Sequence, residues 1–175
     1  MDEKQLLKDC LSGKVHAQKR LYDLYARKMY GICLRYASDH SMAEDFLQEG
    51  FIRVFVKLGS YKFKGSFEGW VRRIMINTSL EILRKNDVLR FSIELNPSHE
   101  IPGEEEPVSE QIDINELMKH IQEMPTGFRT VFNLFAVENL SHKEIGKMLR
   151  ISEGTSKSQY ARARAWLQKR LSANE

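Results

Sequence analysis

The chain has 175 residues, 42% of them hydrophobic, and 27 Lys and Arg against 24 Asp and Glu give a formal charge of +3. That is room for one ordinary domain or two small ones with a real core, which excludes a chain disordered throughout. No run approaches ~20 apolar residues, the charged start has no apolar run behind it, and the two cysteines show no CxxC or Cys/His spacing. A membrane span or direct membrane insertion, a secretory signal, a disulfide scaffold and a structural metal site are therefore not expected, and the expected location is the cytoplasm.

The charge is unevenly spread. Residues 1–90 carry 17 basic and 11 acidic side chains, residues 91–110 six acidic and no basic, and residues 141–170 eight basic and two acidic. Two basic ends joined by an acidic strip suit a polyanion touched at two places, although helical surfaces are charged in any case.

A short helix is expected near residues 3–11. Leu21, Leu24, Tyr25, Met29, Ile32, Cys33 and Tyr36 then recur at steps of three and four, which predicts a long helix with Cys33 as a core residue. Ser41 and Glu44 form a capping-box pattern before the next helix, where Ala43, Leu47, Gly50, Phe51, Val54 and Leu58 share a face. Its outward side carries Glu44, Asp45, Gln48 and Glu49, continued by Ile52 and Val56. Acidic groups near a helix N-terminus are favourable in themselves, but exposed Ile and Val beside them suit a protein contact. Gly59-Ser60 ends this helix. Ser66 caps a third, with Phe67, Trp70, Val71, Ile74, Thr78 and Ile82 as a broad apolar stripe.

The loop before that third helix interleaves Lys57, Lys62 and Lys64 with Tyr61, Phe63 and Phe67. Cations suit phosphates, and flat rings suit unpaired bases. Trp70, Arg73, Asn77 and Arg84 follow at intervals of three, four and seven on one helix side. Single-stranded nucleic acid fits this patch. The plainer reading makes Phe67 core, Tyr61 half buried and the lysines merely solvated, with Trp70 open to either role.

Residues 93–110 hold three of the four prolines and show no helical or strand period, so 91–110 reads as an acidic linker between domains at 1–90 and 111–175. In the second half, Ile112, Leu117 and Ile121 mark one helix, ended near Met124-Pro125, and Phe128, Val131, Phe132, Leu134 and Phe135 mark another. Ser141 and Glu144 form a second capping box on a short helix. Ser152 caps a final helix running to about Leu171. The fold class is all-α, as two small helical domains.

The last two helices fit a helix-turn-helix, with Ile145, Leu149 and Ile151 at the packing positions. The second would enter a major groove N-terminus first, placing Thr155 against a phosphate and Lys157, Ser158, Gln159 and Arg162 near phosphates or base edges. The alternative is a helical hairpin with a solvated basic face. Ser156 stands where an apolar residue would normally pin such a helix, and Tyr160 is large for its inner face.

Ala43-Glu-Asp-Phe-Leu-Gln-Glu49 and Phe67-Glu-Gly-Trp-Val-Arg-Arg-Ile-Met-Ile-Asn-Thr78, followed by Met124 to Arg164, resemble regions 2 and 4 of a bacterial extracytoplasmic-function (ECF, group 4) RNA polymerase sigma factor. The resemblance implies that Asp45, Gln48, Glu49 and the apolar Ile52 dock on the β′ clamp of core polymerase. It implies that Lys62, Phe63, Lys64, Trp70, Arg73 and Asn77 open the −10 element and hold non-template bases, with Phe63 either stacking or supporting the loop. Thr155, Lys157, Ser158, Gln159 and Arg162 would read the −35 duplex, region 4 would also grip the β flap, and an anti-sigma factor is an expected partner. Relatives often show Gly-Thr-Val-Lys-Ser-Arg-Leu where this chain has Gly154-Thr-Ser-Lys-Ser-Gln-Tyr160, so the −35 sequence is not implied.

No catalytic residue, metal or cofactor is expected, since no Walker loop, nucleophile–base pair or ligand cluster can be placed. Two other readings stand beside this one. A stand-alone helix-turn-helix transcriptional regulator shares the charge pattern but leaves the acidic-apolar side and the Trp70-Arg73-Asn77 stripe unexplained. An all-helical adaptor that binds only proteins would show no specific affinity for DNA.

Overall fold

The computed structural model describes residues 2–86 and 114–172, and every regular element among them is a helix. The backbone divides into two compact units, Met1–Ile82 and Leu83–Glu175. The all-α reading as two small domains holds, while the acidic stretch 91–110 and Ile112 lie outside the described residues.

The first unit is built from α1 (Glu3–Leu11), α2 (Val15–Tyr36), α3 (His40–Lys57), a 3-10 turn (Leu58–Ser60) and all but the last three residues of α4 (Phe67–Lys85). The cap of α3 is Asp39 and not the expected Ser41: its carboxylate accepts from Met42 N at 2.8 Å. Ser41 already lies inside the first turn, where its hydroxyl cannot reach the orphan N–H groups of the helix start. The bond to Met42 N holds the Asp39 carboxyl below the usual carboxylate range. Helices α2 and α3 run antiparallel, with Tyr22 against Phe51 at one end and Tyr30 against His40 at the other.

Helix α4 closes the unit. Phe67 packs edge-on to Tyr25 of α2, and Met75 fills the space left by Gly50 of α3, where a Cβ would collide with its sulfur. Leu21, Cys33, Phe46, Val54, Phe67 and Val71 are buried in this core, and burial of such a side chain contributes about 1.5–3 kcal/mol. Burial pushes the Cys33 thiol up to about 12, so it packs as an inert apolar group. Leu24 departs from the expected stripe and is 56% exposed. At 100° per residue it falls about 120° from Tyr36, near the middle of the buried arc of α2.

The second unit holds α5 (Ile114–Glu123), α6 (Thr126–Phe132) continued by a π-helical turn (Asn133–Val137), α7 (His142–Leu149) and α8 (Glu153–Leu171). Its core joins Ile121, Met124 and Phe128 to Ala163 and Leu167 of α8. Arg129 is buried beneath them. Its Nη1 donates to the carbonyls of Gln122 at 2.7 Å and Met124 at 3.1 Å, which closes the negative end of α5.

The expected capping box opens α7. Ser141 N donates to Glu144 Oε2 at 2.8 Å, and Ser141 Oγ accepts from Glu144 N at 3.3 Å. Ser141 Oγ also donates to Glu144 Oε2 at 2.6 Å, and this bond, with that from Ser141 N, holds the Glu144 carboxyl below its usual range. The turn from α7 to α8 bends through Arg150 in the left-handed region, φ 60°, and Ile151 N donates to Gly146 O at 2.9 Å. Ser152 Oγ then accepts from Thr155 N at 2.9 Å to cap α8, as expected.

Candidate nucleic-acid interface

Three surfaces carry the residues singled out by the sequence. On α3, Glu44, Asp45 and Gln48 are exposed, with Ile52 at 51% and Val56 at 79% exposure continuing the stripe. Beside it an open groove of about 660 Å³ runs between α2 and α3, lined by Tyr22, Tyr30, Leu47, Gln48, Phe51 and Ile52. Glu49 is partly withdrawn from this surface. Its carboxylate takes Arg53 Nε at 3.0 Å, and Arg53 also pairs with Glu81 of α4. The i, i+4 spacing of Glu49 and Arg53 was a legible signal for that pair. The part-buried pair fixes where the Glu49 charge sits.

The second surface is the loop after α3 with the start of α4. Lys62 and Lys64 are exposed, and Phe63 is half-exposed at φ 55°, a backbone conformation costly for a bulky side chain. Tyr61 holds it there. The Tyr61 ring lies 5.0 Å from Phe63 and 5.5 Å from Trp70, and its hydroxyl donates to Gly65 O at 2.8 Å. Gly65 takes φ 82°, which favours glycine. Phe67 is core, and Trp70 is half-buried against it at 5.5 Å, so Trp70 packs while keeping one edge in water. Arg73 and Asn77 are exposed one and two turns further along α4. Rings, lysines, a guanidinium and an amide thus share one run of surface. Tyr61, one of the three rings interleaved with the lysines, is buried and contacts both Phe63 and Trp70.

The third surface is α8. Lys157 is exposed and pairs with Glu153 at 2.8 Å, and Arg162 is half-buried. The hydroxyls of Thr155 and Ser158 are occupied locally, by Ser152 at 2.8 Å and by Thr155 O at 3.0 Å. Gln159 corrects the expectation: it is 1% exposed and offers no edge to a groove. Its position explains this, since Ser156, Gln159, Ala163 and Leu167 follow the helical repeat along the buried side of α8. Lys143 on α7 is an exposed cation that the sequence reading passed over. Hydrogen bonding and charge from Lys157, with His142 and Lys143 contributing, hold the Glu153 carboxyl below its usual range. The N-termini of α7 and α8 therefore place Lys143 and Lys157 within electrostatic reach of Glu153.

Among the described residues no group of three or more His, Cys, Asp or Glu could hold a metal ion, and no helix is long and apolar enough to cross a membrane.

Two family models match the chain, Sigma-70 region 2 over residues 21–88 and Sigma-70, region 4 over residues 114–167. The ECF RNA polymerase sigma factor SigW of Bacillus subtilis is 30% identical over an alignment covering 96% of each chain. The ECF RNA polymerase sigma factor SigE of Mycolicibacterium smegmatis is 33% identical over 82% of this chain and 57% of its own length. Among solved structures, the sigma factor RpoE from Bartonella quintana, in complex with the anti-sigma factor NepR, aligns with a TM-score of 0.53. Its identity is 20%, over 90% of this chain and 98% of that one, a likeness of fold.

Proposed function

We propose the following activity for a chain that belongs to the extracytoplasmic-function (ECF) family of RNA polymerase sigma factors. It binds core RNA polymerase, recognises promoter DNA and promotes strand opening in the cytoplasm. The stripe of Asp45, Gln48 and Ile52, with the partly withdrawn Glu49, docks on the β′ clamp. The second unit meets the β flap and presents α8 to the −35 duplex, with Thr155, Lys157, Ser158 and Arg162 at the contact and Gln159 behind it. Lys62, Phe63, Lys64, Trp70, Arg73 and Asn77 take the −10 element and its unpaired non-template bases. An anti-sigma factor is the expected inhibitory partner. The chain supplies recognition, and the polymerase supplies metal and chemistry.

The observation that most supports this reading is the Phe63–Tyr61–Trp70 ring series flanked by exposed lysines. A regulator that reads only duplex has no use for rings held at a solvent edge, whereas opened bases do. The test is transcription in vitro by core polymerase on a pool of promoter fragments, with and without the protein. Discrete transcripts that require the protein are expected, and Asn77→Ala should lose opening more than docking. A chain that neither joins core nor yields a transcript at any salt concentration would return the stand-alone regulator to first place.

A further inference from the structure

The odd residue of the helix-turn-helix is Ser156. It sits fully buried at the seam between α7 and α8, where a hydroxyl needs a partner. The partner comes from α7: His142 Nδ1 lies 2.9 Å from Ser156 Oγ. The imidazole sits in a cluster of three rings. Phe135 of the π-helical turn stacks on it at 4.3 Å and 10°, and Tyr160 of α8 lies at 5.9 Å while packing on Phe135 at 4.4 Å. Burial in this cluster pushes the His142 imidazole below its usual pKa, with the Lys157 charge adding to the effect.

We infer that His142 is a positioning residue for promoter selection, setting the angle of α8 on the −35 duplex through Ser156. An apolar seam is non-directional and tolerates a small rotation of one helix on the other. A hydrogen bond between an oriented ring and a buried hydroxyl does not. Ser156 precedes Lys157 and Ser158 directly, so rotation at this seam moves the groove-facing side chains with it. Tyr160, too large for a simple inner face, packs on Phe135 and so backs the ring that stacks on His142. This inference rests on α8 being the DNA-reading helix.

The test uses full-length protein with core polymerase and a duplex library randomised over the −35 region, selected with wild-type holoenzyme. Binding of the enriched fragment is divided by binding of its shuffled counterpart. His142→Ala and Ser156→Ala should each lower this ratio about three- to tenfold, the range expected for one directional hydrogen bond. The double variant should do no worse than the poorer single. His142→Asn, which keeps a polar atom near the Nδ1 position, should recover most of the ratio, which a purely packing role would not predict. Thermal melting identifies any variant that fails to fold, and His142→Asn with Ser156→Ala then carries the comparison. Unchanged ratios in folded variants, or losses that multiply in the double variant, overturn the inference while Lys157→Ala still lowers binding. If Lys157→Ala and Arg162→Ala leave the ratio untouched as well, α8 is not the reading helix and the inference falls with it.

Discussion

Gly146 passes beneath the backbone of Ile151: a Cβ at position 146 would stand 2.8 Å from the Ile151 carbonyl oxygen. The same two residues are joined by the bond from Ile151 N to Gly146 O at 2.9 Å. A backbone carbonyl fixed by the following cap cannot swing aside. Gly146→Ala should therefore cost about 1–3 kcal/mol in the second unit. Gly50→Ala should cost less, because the atom it meets is the flexible end of Met75. Denaturant unfolding of the two variants checks the order, and equal costs would contradict it.

Arg129 gives a second prediction. Arg129→Met removes a buried cation and strands the carbonyls of Gln122 and Met124. A loss of about 1–3 kcal/mol is expected, and Arg129→Lys should not restore it, since an ammonium lacks the planar fork. Calorimetry on the two variants measures it.

Phe63 separates stability from function. Phe63→Gly relieves a left-handed backbone and deletes the exposed ring, so stability should stay within about 1 kcal/mol of wild type. Open-complex formation should fall about tenfold or more, the scale of one base–ring stack. Permanganate footprinting of unpaired thymines reads the opening. An unchanged footprint would show that the ring only supports the loop.

Gln159 is buried with its Oε1 unpartnered. Gln159→Met keeps the length and removes the unmet polar group, so the second unit should gain up to about 1 kcal/mol. Binding of the enriched −35 fragment should stay within a factor of about two, in contrast to Lys157→Ala. A large loss of selectivity in a folded Gln159→Met protein would mean that this side chain turns outward on DNA.

Acid should weaken the fold through His142. Its folded pKa lies below the unfolded value, first by burial and then by the Lys157 charge, with Glu153 opposing. Below the unfolded pKa, near 6.5, the unfolded chain binds a proton that the folded one refuses, so stability falls as pH drops through that value toward the folded pKa. Urea midpoints at pH 7.5 and 5.5 should fall further apart for wild type than for His142→Phe.

The helices themselves were legible because local rules decide them. Ser141 and Glu144 cap α7 as their spacing predicts, and Ser66 Oγ accepts from Gly69 N at 3.1 Å to start α4. Where two local signals competed, pattern was insufficient. Asp39 displaced Ser41 as a cap because the chain leaves α2 in an extended conformation just before it. Leu24 obeyed the three-four spacing yet lies in water, because spacing gives a stripe but not its width. The acidic stripe of α3 and its exposed Ile52 and Val56 were visible as residues out of keeping with a solvated face.

By itself the sequence determined the two helical domains, their order, the helix-turn-helix and the basic-aromatic loop. These depend on short-range chemistry: helical periodicity, caps, and the composition of a few adjacent residues. Tertiary structure alone decided that Gln159 is core, that Arg129 closes α5, and that Ser156 is answered by His142 from another helix. Whether a polar side chain is partnered depends on what the fold brings across from a distant part of the chain, and spacing along one helix does not encode that.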